Sequence, residues 1–135
     1  MQPVVSLSDL IEEREVLELY KANAWSSAEK PDKLLAALRA SHSLATARVD
    51  GVLVGLANAL SDGHLVVYFP HMLVHPDYHR RGVGRKIMET MLQKYGDFHQ
   101  LMLTADGDAV EFYRAIGFSQ AGKTVPMWIY AGHDH

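Results

Sequence analysis

The sequence predicts a single α/β domain built on a mixed sheet, and three observations carry that expectation. Apolar runs over residues 44–49, 52–60 and 65–69 follow one another through Asp50-Gly51 and Ser61-Asp62-Gly63-His64, turn sequences that join antiparallel strands. Residues 65–105 then read strand, glycine-bearing turn, helix, strand. A strand that returns through a helix lies parallel to its predecessor by a right-handed crossover. Elsewhere apolar residues recur at helical spacing, as layers covering a sheet require.

In chain order, residues 3–7 read as a short first strand. Asp9 with Glu12 gives a capping box that opens a helix running to about Ala22, with Val16, Leu17, Leu19 and Tyr20 on its apolar face. Residues 23–29, NAWSSAE, form a loop that holds a tryptophan. Pro31 suits the first position of a second helix, whose Leu34, Leu35 and Leu38 share one side. After the hairpin strands, residues 65–69 and then Met72-Leu73-Val74 have the composition of a buried strand, which Pro76-Asp77 ends. Beyond Gly84, the residues Ile87, Met88, Met91, Leu92 and Tyr95 recur at helical spacing, and Gly96 stands where a C-cap glycine belongs. Residues 98–105 contain a short buried strand. Asp108 with Glu111 makes a second capping box for a helix carrying Ala109, Phe112, Tyr113 and Ile116, stopped by Gly117. Residues 118–120 and 125–130 read as a last pair of strands, and residues 131–135 as a frayed end.

Composition narrows the function before any motif does. At 135 residues the chain fits one domain with a substantial core, and 48% hydrophobic with 21% charged residues is ordinary for a soluble protein. A net charge of −3 leaves no basic excess for a dedicated nucleic-acid binder. The absence of cysteine excludes disulfides, thiolate metal sites and cysteine nucleophiles, and fits the cytoplasm. The opening residues, MQPVVSLSDLIEERE, turn acidic too early for a signal peptide, and no apolar run approaches the roughly 20 residues of a membrane span. A soluble cytoplasmic domain with neither a membrane nor a nucleic-acid partner is expected.

The chemistry concentrates in the turn Arg80-Arg81-Gly82-Val83-Gly84-Arg85. Two glycines at a helix start let successive backbone N–H groups face one point, and the helix dipole adds positive character there. With three arginines around it, such a turn suits a phosphate or pyrophosphate. A Walker loop would need GxxxxGK followed by Ser or Thr, which the chain lacks. A dinucleotide fingerprint would need a third glycine where Ile87 stands, and the turn comes late rather than in an initial βαβ unit. Coenzyme A is the third reading. A metal is not expected. His71, His75 and His79 imitate i, i+4 ligand spacing, but Pro76 forbids one helix through all three.

The stretch VHPDYHRRGVGRKIM, with FYRAIGF further on, resembles the GNAT superfamily of N-acetyltransferases. That family's pyrophosphate turn runs Gln/Arg-x-x-Gly-x-Gly/Ala, and residues 79–84 fit it except that His79 takes the first position. Its second motif, an aromatic pair before Gly-Phe, is matched by Phe112-Tyr113 and Gly117-Phe118, with Asp106 where an Asn often precedes that helix. The resemblance covers nearly the whole chain, because the element order agrees as well. The pattern LVGLANALSDG with the strand after it is further similar to small bacterial and plant members called aralkylamine or serotonin acetyltransferase-like. The resemblance implies the GNAT fold, a mixed sheet of about six or seven strands with about four helices. That sheet is splayed between the strand ending near Val74 and the strand at residues 101–105.

It also implies acetyl-CoA as donor and assigns roles. Met72, Leu73 and Val74 would hold the pantetheine arm as an added strand. Pro70 independently marks an edge or a bulge there. A backbone N–H near Leu73 would polarise the thioester carbonyl, an effect typically worth ~3 kcal/mol of barrier. His79, Arg80, Arg81, Gly82, Val83, Gly84 and Arg85 would take the pyrophosphate, with Asp106 and Tyr113 as further cofactor contacts. Tyr113 matches the family's acid for the leaving thiolate, and a tyrosine near pKa 10 stays protonated at neutral pH. The amine must lose a proton, to a general base or through a water relay; His71 is the residue expected to act as base, with His75 and His64 as alternatives. Tyr20, Asn23, Trp25 and Ser26, on the first helix and the loop after it, are the expected acceptor residues. The expected reaction is direct acetyl transfer to a primary amine in a ternary complex, with a small, even aromatic, amine ahead of a protein amine. Rival classes are an acyl-CoA-sensing module without turnover and a nucleotide-binding regulatory domain. The resemblance adds a homodimer paired through the last strands.

Overall fold

The computed structural model describes residues 2–133. In chain order it contains β1 (Val4–Leu7), α1 (Glu13–Ala22), α2 (Pro31–Ala40), β2 (Ser43–Val49), β3 (Val52–Ser61), β4 (Val66–Tyr68), β5 (Met72–Val74), α3 (Val83–Tyr95), β6 (Gln100–Met102) and α4 (Ala109–Ala115). A 3-10 turn at Ser26–Glu29 sits in the loop between α1 and α2. The sheet runs β1-β2-β3-β4-β6, with β5 also on β3. All pairings are antiparallel except β4 with β6, the parallel pair expected of the crossover through α3.

Two helical layers cover the sheet. Val16, Leu19 and Tyr20 of α1 and Leu34 and Leu38 of α2 pack on Leu44, Leu53, Leu56 and Leu73. On the other face, Val83, Ile87, Met88, Met91 and Tyr95 of α3 and Tyr113 of α4 pack on Ala45, Ala47, Val54, Ala57, Val67 and Val74. Each fully buried Leu, Ile or Met contributes roughly 1.5–3 kcal/mol relative to exposure, so the two apolar faces hold the helices against the sheet.

One irregularity decides where a ligand can enter. Ala57 pairs with Met72 and Leu60 with Tyr68, so Phe69, Pro70 and His71 stand opposite only Asn58 and Ala59. This is a bulge with one extra residue, as Pro70 foretold. The main-chain polar groups of His71 are met by one residue, through its side chain and its backbone. Asn58 Oδ1 accepts the His71 N–H at 3.0 Å, and the Asn58 N–H donates to the His71 carbonyl at 3.1 Å. Before the bulge, β4 pairs with β6, and the Phe69 N–H donates to the Met102 carbonyl. After it, β5 pairs with β3 alone among the described residues. The sheet therefore parts between β5 and the chain that continues from β6.

Several expectations need correction. Helix α1 starts later than Asp9: its N-cap is Glu12, and the capping box pairs Glu12 with Glu15. Glu15 is held there because Arg48 of β2 grips its carboxylate with two bonds of 2.8 Å. The Asp108–Glu111 box does not form, since Asp108 makes no side-chain cap bond and Glu111 pairs with Arg114 at 2.9 Å. The strand within residues 98–105 is confined to Gln100–Met102. No strand follows α4 among the described residues. Residues 118–120 and 125–130 lack a ladder partner, Pro126 cannot donate, and Val125, Met127, Trp128 and Ile129 lie 72–107% exposed. Residues 131–133 do not fray either: the His133 N–H donates to Ser26 Oγ at 2.9 Å. Asp134 and His135, the rest of the expected frayed end, lie outside the described residues.

Candidate active site

The glycine turn lies at the mouth of the parting. Arg80 (φ 62°) and Gly82 (φ 79°) both adopt left-handed backbone, a costly conformation for the arginine. Such alternation turns successive N–H groups inward into an anion-binding concavity. The first intrahelical bond of α3 runs from the Lys86 N–H to the Gly82 carbonyl, so the N–H groups of Val83, Gly84 and Arg85 have no intrahelical acceptor. Gly82 is the N-cap and offers no side chain to cover them. The buried Val83 and Ile87 anchor this end of the helix to the core. Arg81 leans over the Tyr78 ring at 5.8 Å, and Arg85 pairs loosely with Glu89 at 3.7 Å. The concavity and its flanking cations fit a pyrophosphate.

His79 has a different task from the one expected of it. Its Nε2 sits 2.7 Å from the Val74 carbonyl, to which it donates, tying the turn to the end of β5. It points back to the strand instead of standing free for the pyrophosphate.

The register of β5 settles which main-chain groups face the parting. The Asn58 N–H donates to the His71 carbonyl and the His75 N–H to the Val54 carbonyl. By the alternation of antiparallel pairs, Leu73, between them and opposite Leu56, also directs its N–H and carbonyl to β3. The Leu73 N–H therefore faces β3 and not the parting. Met72 and Val74 point theirs outward. The Leu73 side chain remains in the α1–α2 core.

These observations coincide with the comparisons. Residues 11–127 match the family described as Acetyltransferase (GNAT) domain. The chain belongs to the GNAT acetyltransferase family. A GNAT family acetyltransferase, SP0256 from Streptococcus pneumoniae TIGR4, superposes with a TM-score of 0.83 at 27% identity, covering 96% of this chain and 98% of that one. Among curated proteins, "Histone acetyltransferase TAP1" of Glycine max is 35% identical over 86 residues, 60% of this chain and 36% of its own. "Uncharacterized N-acetyltransferase ycf52" of Gracilaria tenuistipitata var. liui is 32% identical over 68 residues, 49% of this chain and 37% of its own. The chain thus spans little more than a third of the length of these curated relatives.

Within the GNAT frame, the second motif packs directly on the first. A methyl group on Gly84 would meet Phe112 Cζ at 3.4 Å and Met72 Cε at 3.5 Å, so α4, the turn and β5 converge. Tyr113 is 8% exposed, between the rings of Phe112 and Phe118, and belongs to the same buried cluster as Val74. Desolvation pushes its hydroxyl up to about 12, so it is protonated at any physiological pH. With Leu103 and Thr104 it lines a cavity of about 470 Å³ beside the end of β6. Asp106 contributes its carbonyl to the Ala109 N–H at the start of α4.

On the α1 face, two of the four expected acceptor residues, Tyr20 and Trp25, pack on His71 of the bulge. Tyr20, Trp25 and His71 form a triangle of rings with centroids 5.3–5.7 Å apart. The Tyr20 hydroxyl lies 2.7 Å from His71 Nδ1. Ser26 stands at the next turn, 3.4 Å from the Tyr130 hydroxyl. Asn23 does not join them: its amide donates to the Leu19 carbonyl and caps the end of α1. His75 accepts the Asp77 N–H and His64 sits in the Asp62 turn, so neither alternative base reaches the triangle through these contacts. Asn58 escaped the sequence reading, although a lone Asn in the apolar run 52–60 was a signal that a buried partner needed it. Among the described residues no three or more His, Asp or Glu come together as metal ligands would.

Proposed function

We propose that the protein transfers an acetyl group from acetyl-CoA to a primary amine by direct attack within a ternary complex. One observation carries this reading: the sheet parts after the Pro70-His71 bulge, with the anion-binding turn at the mouth and an aromatic triangle on the α1 face. The turn from Arg80 to Arg85 takes the pyrophosphate. The outward N–H and carbonyl of Met72 and the outward Val74 N–H take the pantetheine as an added strand, the Val74 carbonyl being held by His79, and one of these N–H groups is aimed at the developing oxyanion. Bound there, acetyl-CoA supplies a thioester. The amine nitrogen attacks the carbonyl carbon, the carbon–sulfur bond breaks, and Tyr113 gives its proton to the departing sulfur. The proton lost from nitrogen restores the balance through solvent. Tyr20, Trp25, His71 and Ser26 form the acceptor end, where His71 meets the amine.

The aromatic triangle supports a small, aromatic amine, in keeping with the resemblance to aralkylamine members. A peptide amine is the second reading, favoured by the histone acetyltransferase name of one relative. Free thiol release should be measured over a panel of arylalkylamines, alkylamines and peptides. The reading expects arylalkylamines to lead and Tyr113→Phe to slow them; thiol release above background for no amine would make the domain an acyl-CoA sensor. Equal thermal stabilisation by acetyl-CoA, ADP and NAD would remove the cofactor assignment.

No helix among the described residues is long and apolar enough to cross a membrane. The cysteine-free sequence supports a cytoplasmic setting. For assembly we favour a homodimer. The support is the exposed apolar stretch Val125, Met127, Trp128 and Ile129, together with β6, which ends the sheet with one unpaired edge. Light scattering of the protein and of Trp128→Lys, expected to be dimeric and monomeric respectively, tests it.

A further inference from the structure

The Tyr20–His71 contact has a chemical direction that the aromatic triangle alone does not reveal. Tyr20 is 0% exposed, and among the described residues its hydroxyl has His71 Nδ1 as its one polar partner, at 2.7 Å. A buried hydroxyl hydrogen left without an acceptor costs about 1–3 kcal/mol. An imidazole nitrogen, with an ordinary pKa near 6.5, is a far better acceptor than a phenol oxygen, and the phenol the better donor. The bond therefore runs from the Tyr20 O–H to Nδ1. A neutral imidazole that accepts at Nδ1 carries its own hydrogen at Nε2. The Asn58 side-chain oxygen and main-chain N–H fix the His71 backbone from the other side, and turning the ring over would put a carbon where Nδ1 stands and leave the buried Tyr20 hydroxyl without that acceptor. The titratable group that faces His71 from α1 is Tyr20, while Trp25 from the loop and Asn58 from β3 carry no charge. Burial holds the Tyr20 hydroxyl well above its ordinary range, so it does not become an anion that would accept from the ring.

We propose that Tyr20 is a positioning residue that locks His71 in the tautomer protonated at Nε2, so that His71 meets the acceptor as a hydrogen-bond donor and not as its base. The proposal rests on the acceptor end assigned above and revises the role expected of the histidine there. The amine then enters already neutral, or loses its proton to water, and the Nε2–H bonds an oxygen or nitrogen lone pair of the acceptor. Amines that carry such a group near the nitrogen are the ones this site prefers.

Two measurements test this, and they fail separately. Nitrogen-15 spectra of histidine-labelled protein, with His71 assigned by its loss in His71→Gln, read the tautomer whether or not any amine is turned over. The expected result above the histidine pKa is an unprotonated signature at Nδ1 and a protonated one at Nε2, with both drifting to averaged values in Tyr20→Phe. A protonated Nδ1 in the wild type overturns the proposal. In kinetics, the acidic limb of kcat/KM should move with the pKa of the amine when two amines of different basicity are compared. Tyr20→Phe should raise the amine KM about tenfold, the equivalent of one hydrogen bond, with kcat within about twofold. A limb near pH 6.5 that is common to both amines and vanishes in His71→Gln would restore the base and sink the proposal.

Discussion

Asn58 binds His71 twice, accepting its N–H and donating to its carbonyl, and a further bond from Asn58 Nδ2 to Ser41 Oγ at 3.1 Å holds the amide in place. At 5% exposure, Asn58 has little water to replace any of these bonds. Replacing it by Ala leaves the His71 N–H unpaired in a mostly buried place, which costs about 1–3 kcal/mol. Urea unfolding should show that loss. Acetyl-CoA affinity should fall as well, because the bulge sets the angle at which β5 leaves β4. An Asn58→Ala protein with normal coenzyme affinity would separate the bulge from the cleft.

The two glycines of the turn should respond differently to alanine. Gly82 has φ 79°, where an L-residue is strained by about 1–2 kcal/mol, so Gly82→Ala lowers stability by that order. Gly84 is helical and its new methyl group would make ordinary contact with Phe112 and Met72. There, helix propensity favours alanine by up to about 1 kcal/mol. Gly84→Ala should keep or raise the melting temperature while its methyl group narrows the approach to the turn. Thermal melts with and without acetyl-CoA distinguish the two.

Tyr113→Phe should slow acetyl transfer by roughly a hundredfold, the lower range for a general acid. Its pKa, raised by burial, has a second consequence. The folded chain keeps the hydroxyl neutral up to about 12, whereas the unfolded chain ionises it near 10. The stability it contributes is full below pH 10 and is lost as pH rises toward 12. Alkaline unfolding curves should show a smaller loss over that window in Tyr113→Phe than in the wild type.

Glu15 gives the opposite sign. Two bonds from Arg48, and a third from the Glu12 N–H at 3.0 Å, hold its carboxyl below the ordinary value. Its contribution is present at neutral pH and fades as pH falls below the carboxylate range. Glu15→Gln should cost on the order of 1 kcal/mol at pH 7 and less at pH 3 than at pH 7, by urea unfolding at the two pH values.

The fold and the site differ in how far the sequence exposes them. Helix α3, the Asp50-Gly51 hairpin and the glycine turn before α3 were legible because each rests on local chemistry: apolar period, left-handed glycines, N–H groups without an intrahelical acceptor. What hid were the features set by distant partners. Arg48 moved the start of α1 from Asp9 to Glu12, and Asn58 stabilised a bulge that Pro70 only hinted at. The β5 register, which turns Leu73 away from the parting and Met72 and Val74 toward it, depends on a count of bulged residues that no local signal contains. The missing last strands follow the same rule, since a strand is made by its neighbour, and residues 125–130 have none among the described residues.

The parting also leaves β5 with a bare edge, and a bare edge is an invitation to polymerise. Here the invitation is short: Pro70 lies just before β5 and Pro76 just after it, and only Met72, Leu73 and Val74 remain in ladder geometry. His79 already occupies the Val74 carbonyl. The edge proposed to take an extended ligand is thereby kept too brief to template another copy of the chain, so the protein should stay dispersed in solution with that edge open.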